Sequence, residues 1–224
     1  IKPGAIQDHA SGTKVSTSHA LIRSWSTYWG CVGAYVHDLT LDGNRQASEA
    51  NEWTNGCIHI DPVGSTINDI TYTYATSDNT FRRLILKNSP FDGISDQSTG
   101  GGIVEGCTFI NSFKHGVHFG TIYVNGKVYG NTFDTMLGSG VFWCQQAENI
   151  VVTGNYFVDC YRGCSSVDFS TPPINSIIAN NFFRDITNVV LDFSNTSYSS
   201  TYGGMIIESN IVMGLNNNFV RANY

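Results

Sequence analysis

The sequence predicts an all-β fold, specifically a right-handed parallel β-helix, on three observations. A short phrase recurs along the 224 residues: LILKNSPF, GIVEGCTFI, GKVYGNTFD, IVVTGNYFV, IIANNFFRD and IIESNIVM, anchored at Asn88, Cys107, Asn131, Asn155, Asn181 and Asn210. The anchors lie 19, 24, 24, 26 and 29 residues apart, a near-regular period that marks a stacked-repeat architecture. Each copy alternates with period 2, so it is a strand and not a helical turn. Strands that recur one coil apart stack in parallel, and the product is a solenoid.

The totals agree. Charged residues are only 13% of the chain and glycine numbers 23, which suits strands and tight turns rather than long amphipathic helices. The length fits one domain. No stretch reaches the roughly 18 apolar residues of a spanning helix, so no membrane span is expected. The net charge of −6 and the lack of any Lys/Arg run argue against a nucleic-acid partner. The six cysteines, Cys31, Cys57, Cys107, Cys144, Cys160 and Cys164, lack paired CxxC spacing and a companion His cluster. No metal or cofactor is expected. Free buried thiols are the simplest reading, although Cys160 and Cys164 are close enough to leave a local link open.

Taken in order, residues 1–35 read as a capping region. Ala20-Leu21-Ile22 and Cys31-Val32-Gly33-Ala34-Tyr35 are its strands, with Trp25, Tyr28 and Trp29 packed at the end. Residues 36–215 form the β-helix, which opens with the stretch from Val36 to Asn44 and continues from Cys57 to Asp61. The step from Asn44 to Asn88 is 44 residues, nearly two coils. It is read as one coil with a long insertion at about 62–82, and loops on rigid scaffolds are where binding resides. Each later coil has a ladder strand, a turn, and a second short strand opened by Gly93, Gly116, Gly140 or Gly163. The fifth second strand carries Asn188 in that place, and both residue types tolerate a left-handed backbone. The last strand runs from Met205 to Val212, and residues 216–224 are the C-terminal end. The chain ends just after a repeat without the polar cap a solenoid needs, so the sequence predicts a fragment, or one piece of a larger or trimeric assembly.

Like residues then stack on like. The Asn column sits at a turn, where its amides bond along the stack. Phe109, Phe133, Phe157 and Phe183 lie two residues on and face the core. The apolar ladders Ile103, Val128, Val151, Ile177 and Val117, Val141 complete the interior.

The same register yields candidate chemistry. Two residues past each glycine lies an outward column of Ser95, His118, Phe142 and Ser165, which His59 joins by alternation. One residue before each glycine stand Asp92, His115, Ser139 and Arg162. Asp61, Asp92, Asp96, His115 and His118 therefore fall on neighbouring rungs, about 4.8 Å apart. Two carboxylates one or two rungs apart match the ~5 Å of a retaining glycosidase pair or the ~6.5–9.5 Å of an inverting pair. The candidate catalytic set is Asp92, Asp96, Asp61, Glu105 and His115. The candidate substrate-binding set is His118, His59, Phe142, Trp143 and Arg162, with aromatic rings to stack on sugar faces. A plainer alternative assigns Asp92 and Asp96 to turn chemistry, leaves His115 and His118 as a solvated or stacked pair, and puts Glu105 on the surface.

The Asn ladder, the stacked Phe and the glycine-opened strand resemble the repeats of the pectin-lyase-like superfamily. That superfamily includes pectate lyases, polygalacturonases, alginate epimerases, and phage tailspikes or appendages. The resemblance covers about residues 36–215. It implies extracellular or virion-associated work on a polysaccharide or cell-surface glycan. A looser echo of polygalacturonase-type hydrolases runs from Pro90 to Asp96 and from Lys114 to Gly120. It sets Asp92 near that family's first acid and His115 near its histidine, but the family's adjacent Asp pair and Arg-x-Lys segment are missing. The function expected is glycan recognition with hydrolysis. The alternatives are a non-catalytic tail or appendage module, and a lyase or epimerase that draws on Lys87, Lys114 or Arg162.

Overall fold

The structure is a computed structural model. It describes residues 21–24, 33–44, 56–60, 78–98, 100–120, 123–143, 147–166, 174–193, 204–214 and 218–222. Most of the predicted capping region, residues 62–77 of the predicted insertion, and Asp61, Cys31 and Cys144 lie outside them.

Among the described residues every regular element is a short strand; the strands stack into three long parallel sheets, and Tyr123–Val124 and Ala147–Glu148 form a fourth, two-stranded one. We call the first the ladder sheet. Its strands are Tyr35–His37, Thr80–Arg82, Ile103–Glu105, Lys127–Tyr129, Val151–Thr153, Ile177–Ala179 and Ile206–Glu208. The ring sheet follows, with Thr40–Asp42, Ile85–Lys87, Thr108–Ile110, Thr132–Asp134, Tyr156–Val158, Phe182–Arg184 and Ile211–Met213. The glycine sheet closes each coil, with Ile22–Ser24, Ile58–Ile60, Ile94–Asp96, Val117–Phe119, Ser139–Trp143, Arg162–Ser165, Val189–Phe193 and Val220–Ala222. The architecture is the predicted parallel β-helix.

The coil has three strands where the sequence suggested two. Each repeat phrase breaks at a residue with left-handed backbone: Gly106, Gly130, Gly154, Asn180 and Ser209 have φ of 60, 65, 65, 56 and 53°. Glycine, asparagine and serine here supply a corner that β-branched residues resist. The ladder residue comes immediately after. Strand Thr40–Asp42 pairs directly with Ile85–Lys87, and Tyr35–His37 with Thr80–Arg82. The regular coil therefore resumes by residue 80, inside the span assigned to the insertion.

The amide ladder is real from Asn131 onward. Asn131 Oδ1 accepts from the Cys107 N–H at 2.8 Å, and Asn131 Nδ2 donates to the Val104 carbonyl and to Asn155 Oδ1. Asn155, Asn181 and Asn210 repeat the pattern. Asn88 does not belong to it. Asn88 follows a ring-sheet strand with φ 52°, and it sits in a second column with Asn111 and Asp42. The ladder place in that coil is taken by Leu84, which is 1% exposed.

The interior also shifts by one residue on the ladder sheet. Phe81, Val104, Val128, Val152 and Ile178 are the buried column. Ile103, Val151 and Ile177 lie on the other face and are only half-buried, because strand side chains alternate and a one-residue slip exchanges the faces. The ring column stands as predicted. Phe109, Phe133, Phe157 and Phe183 are fully buried and stack at centroid separations of 4.8, 4.8 and 4.6 Å. Cys57, Cys107, Cys160 and Cys164 are free and buried, so no local link joins the last two. Burial pushes the Cys160 thiol up to about 12.

The strand-opening glycines are there for space, not for left-handed backbone. A Cβ on Gly93, Gly116, Gly140 or Gly163 would lie 2.4–2.5 Å from the ring of Phe109, Phe133, Phe157 or Phe183, one coil on. Where the ring column ends in Val212, the glycine place is taken by Val190, not by Asn188. Glycine and ring vary together because they share one volume.

Two outcomes follow. Gly140→Ala overpacks Phe157 and should cost about 1–3 kcal/mol in denaturant unfolding. Phe157→Leu in the same chain should recover part of that loss, and strictly additive costs would contradict the shared volume. Cys107→Asn gives the ladder one more amide, with an oxygen for the coil above, and should add about 1 kcal/mol. A lower melting temperature would count against it.

Candidate functional site

The glycine sheet aligns the predicted outward column as counted from the sequence. His59 pairs with Ser95, Ser95 with His118, His118 with Phe142, Phe142 with Ser165, and Ser165 with Asp192. Most of this column is covered. His59, Ser95, Ser165 and Asp192 are fully buried, and only the His118 and Phe142 rungs are partly open.

An open pocket of ≈ 430 Å³ lies where the column opens. It sits at the corner between the ring sheet and the glycine sheet. Four successive turns build it: Phe91 from the first, Phe113, Lys114 and His115 from the second, Leu137 and Gly138 from the third, Tyr161 and Arg162 from the fourth. His118 and Phe142 complete it from the strands. These turns stack backbone on backbone. Lys114 N–H donates to the Phe91 carbonyl at 3.0 Å and Gly138 N–H to the Lys114 carbonyl at 2.7 Å. Lys114 Nζ stands 5.3 Å from the centre of the Phe91 ring, and the Arg162 guanidinium 4.8 Å from that of Tyr161. Both are within cation–π range.

Behind the pocket lies a polar network. Asp92 is fully buried. Its Oδ1 accepts the His115 backbone N–H at 3.1 Å and its Oδ2 meets His118 Nδ1 at 2.8 Å. An ionised carboxylate can only accept, and opposite one the proton of that second bond lies on His118 Nδ1. His115 has the opposite arrangement. Its Nδ1 accepts the Ser139 N–H at 3.0 Å, so the ring is neutral and carries its proton on Nε2. Burial holds the His115 imidazole down at about 3. Its ring lies flat on Phe142, with centroids 4.2 Å apart and 7° between planes. The His118 ring meets the edge of both.

On the Arg162 side, fully buried Asp192 takes an ion pair from Arg162 Nε at 2.8 Å and a two-pronged one from Arg221. Burying a carboxylate requires such partners.

The predicted residues divide clearly. Asp92, His115, His118, Phe142 and Arg162 come together. Asp96 does not, because it shares the inward face with Phe119. There it is fully buried, bonded by Tyr123 Oη at 2.7 Å and by the Ser98 N–H at 3.2 Å. Burial raises its carboxyl above the usual range. Trp143, one residue past Phe142, also points inward and packs near Phe193. Glu105 lies on the ladder sheet, half-buried and paired with Arg82. His59 is buried one rung beyond Ser95. Asp61 lies outside the described residues. Among the described residues no two of the proposed acids share an open face, so the two-carboxylate arrangement is not formed there. Phe91, Phe113 and Leu137 were missed as site residues. Their signal was positional, since each falls in the turn between a ring strand and its glycine.

Residues 29–183 match the family model described as right handed beta helix region, well over half of the chain. Comparisons with curated proteins and with solved structures returned no match.

The neutral His115 has a measurable consequence. Its value in the fold, about 3, lies below the ordinary 6.5. Between those two values the unfolded chain binds a proton that the folded chain refuses, so stability falls as pH falls from about 6.5 toward 3. His115→Asn keeps an acceptor for the Ser139 N–H but cannot titrate. Its unfolding free energy should lose less on acidification than that of the unaltered chain, by an amount on the order of a few kcal/mol. Parallel pH profiles would show that His115 is not held neutral.

Proposed function

The chain belongs to the right-handed β-helix family, and from that premise we propose that it recognises a polysaccharide through the corner pocket. A fold of this kind is consistent with polysaccharide-related proteins. One observation carries the reading to this place: the pocket walls alternate ring faces with hydrogen-bond donors across four stacked turns. Sugars offer apolar C–H faces and polar hydroxyl edges, and such walls suit both. Three rung spacings cover about 14 Å along the axis, room for a segment of chain rather than one ring. Leu137 and Tyr161 keep 51% and 42% exposure at the rim, an apolar surface in want of a ligand. An extracellular or virion setting, and a trimeric assembly, belong to the same proposal and rest on the sequence resemblance.

A second reading, acid–base chemistry, rests on the Asp92–His118 pair. A buried carboxylate on Nδ1 orients an imidazole and makes Nε2 the nitrogen that exchanges a proton. This reading needs one histidine where the sequence-level expectation needed two acids. Asp92 would act as a positioning residue through His118.

A glycan array with the purified chain should give polysaccharide hits. Phe142→Ala and Tyr161→Ala should each weaken them about tenfold, with melting temperature checked in parallel. An array without hits would overturn the recognition reading. If a hit is also cleaved, Asp92→Asn should lower turnover about 10²–10⁴-fold while binding changes little. Cleavage unaffected by Asp92→Asn would remove the second reading.

A further inference from the structure

Charge narrows the ligand of this pocket further than its shape does. The chain as a whole is acidic, with a net charge of −6. The pocket runs against that background. Its charged lining residues are Lys114 and Arg162, and no carboxylate lines it. Asp92 sits behind His115 and His118, with both oxygens bonded to them. Asp192 is likewise buried, and it faces two guanidinium groups, Arg162 and Arg221. Among the described residues one carboxylate against two cations leaves a positive charge over, and Arg162 carries it to the pocket wall. Lys114 adds a second, and among the described residues no carboxylate pairs with it.

Resting on the polysaccharide reading above, we propose that the pocket receives an anionic sugar residue, one bearing a carboxylate or a sulfate. Lys114 and Arg162 receive the charged group, and the neighbouring ring faces of Tyr161, Phe91 and Phe142 receive the sugar body. A neutral sugar offers these two cations only hydroxyl dipoles. An anion offers charge-assisted hydrogen bonds, which are roughly twice as strong as neutral ones. Local field matters more than net charge here, because a low-dielectric wall focuses the potential of the few charges it holds.

The test uses the whole chain and an array carrying carboxylated, sulfated and neutral glycans. Hits confined to anionic members support the proposal. Hits on neutral glycans alone overturn it and leave the polysaccharide reading standing, whereas no hits at all remove both. For a carboxylated hit, the same polymer with its carboxyls reduced to primary alcohols should bind about tenfold more weakly or worse. For a sulfated hit, the desulfated polymer should do the same, and this separates the two sources of charge. Lys114→Gln should weaken the anionic hit about tenfold and flatten its dependence on salt, because screening acts on the charge it removes. Lys114 is exposed, so the variant should fold, and an unchanged melt confirms this. Undiminished affinity for the charge-stripped polymer would overturn the proposal.

Discussion

The amides of Asn131, Asn155, Asn181 and Asn210 hold successive coils in one register, and the rest of the molecule depends on that. Each amide spends its oxygen on the coil above and its nitrogen on a carbonyl of the coil above and the next amide in line. A slip of one residue would strand these groups in an apolar interior, at roughly 1–3 kcal/mol for each. The register is therefore fixed at the corner, and it propagates to all three sheets. Side chains drawn from turns some 24 residues apart in the sequence then meet as neighbours, and the corner pocket exists only because of it.

The ring column is a second, independent lock. Phe109, Phe133, Phe157 and Phe183 each occupy the space where a side chain on the facing glycine would be. The pairing was legible as two separate columns but not as one volume. Glycine in a strand more readily suggests backbone freedom than close approach, yet the latter is the physical reason here. The exchange of Gly for Val190 in the coil before Val212 replaces Phe is what distinguishes the two.

Much of the fold could be read because period and alternation survive in the sequence, and the errors have definite causes. Asn88 stands in a phrase that looks like the others, but its Phe comes three residues later rather than two, across Pro90. In that coil Leu84-Ile85-Leu86 is the true counterpart of Asn131-Thr132-Phe133. The half-buried Ile103, Val151 and Ile177 each precede another apolar or β-branched residue, so hydrophobicity alone could not say which faces inward. The ladder position could, since the buried member lies three residues before it. On the glycine sheet the alternation was unambiguous, and that is why His118 and Phe142 were aligned correctly while Trp143 and Asp96, one residue along, fall inside. Phe113 and Leu137 escaped because turn residues obey no period.

At Asp192, stability and the proposed recognition draw on the same groups. A carboxylate with no exposed surface needs cationic partners, and the chain supplies two from the coils on either side, Arg162 and Arg221. Arg221 belongs to the last described strand, so the cluster also ties that strand to the stack. Two cations on one anion overcompensate it. The excess sits on Arg162, whose guanidinium rests on Tyr161 beside the pocket. With one arginine the pair would be neutral and this wall would lose its positive potential. With no Asp192 the two guanidinium groups, which converge on it from the coils either side, would repel each other. The charge that the pocket presents is thus set by an interaction whose first role is to permit a buried acid, and the two roles cannot be altered separately.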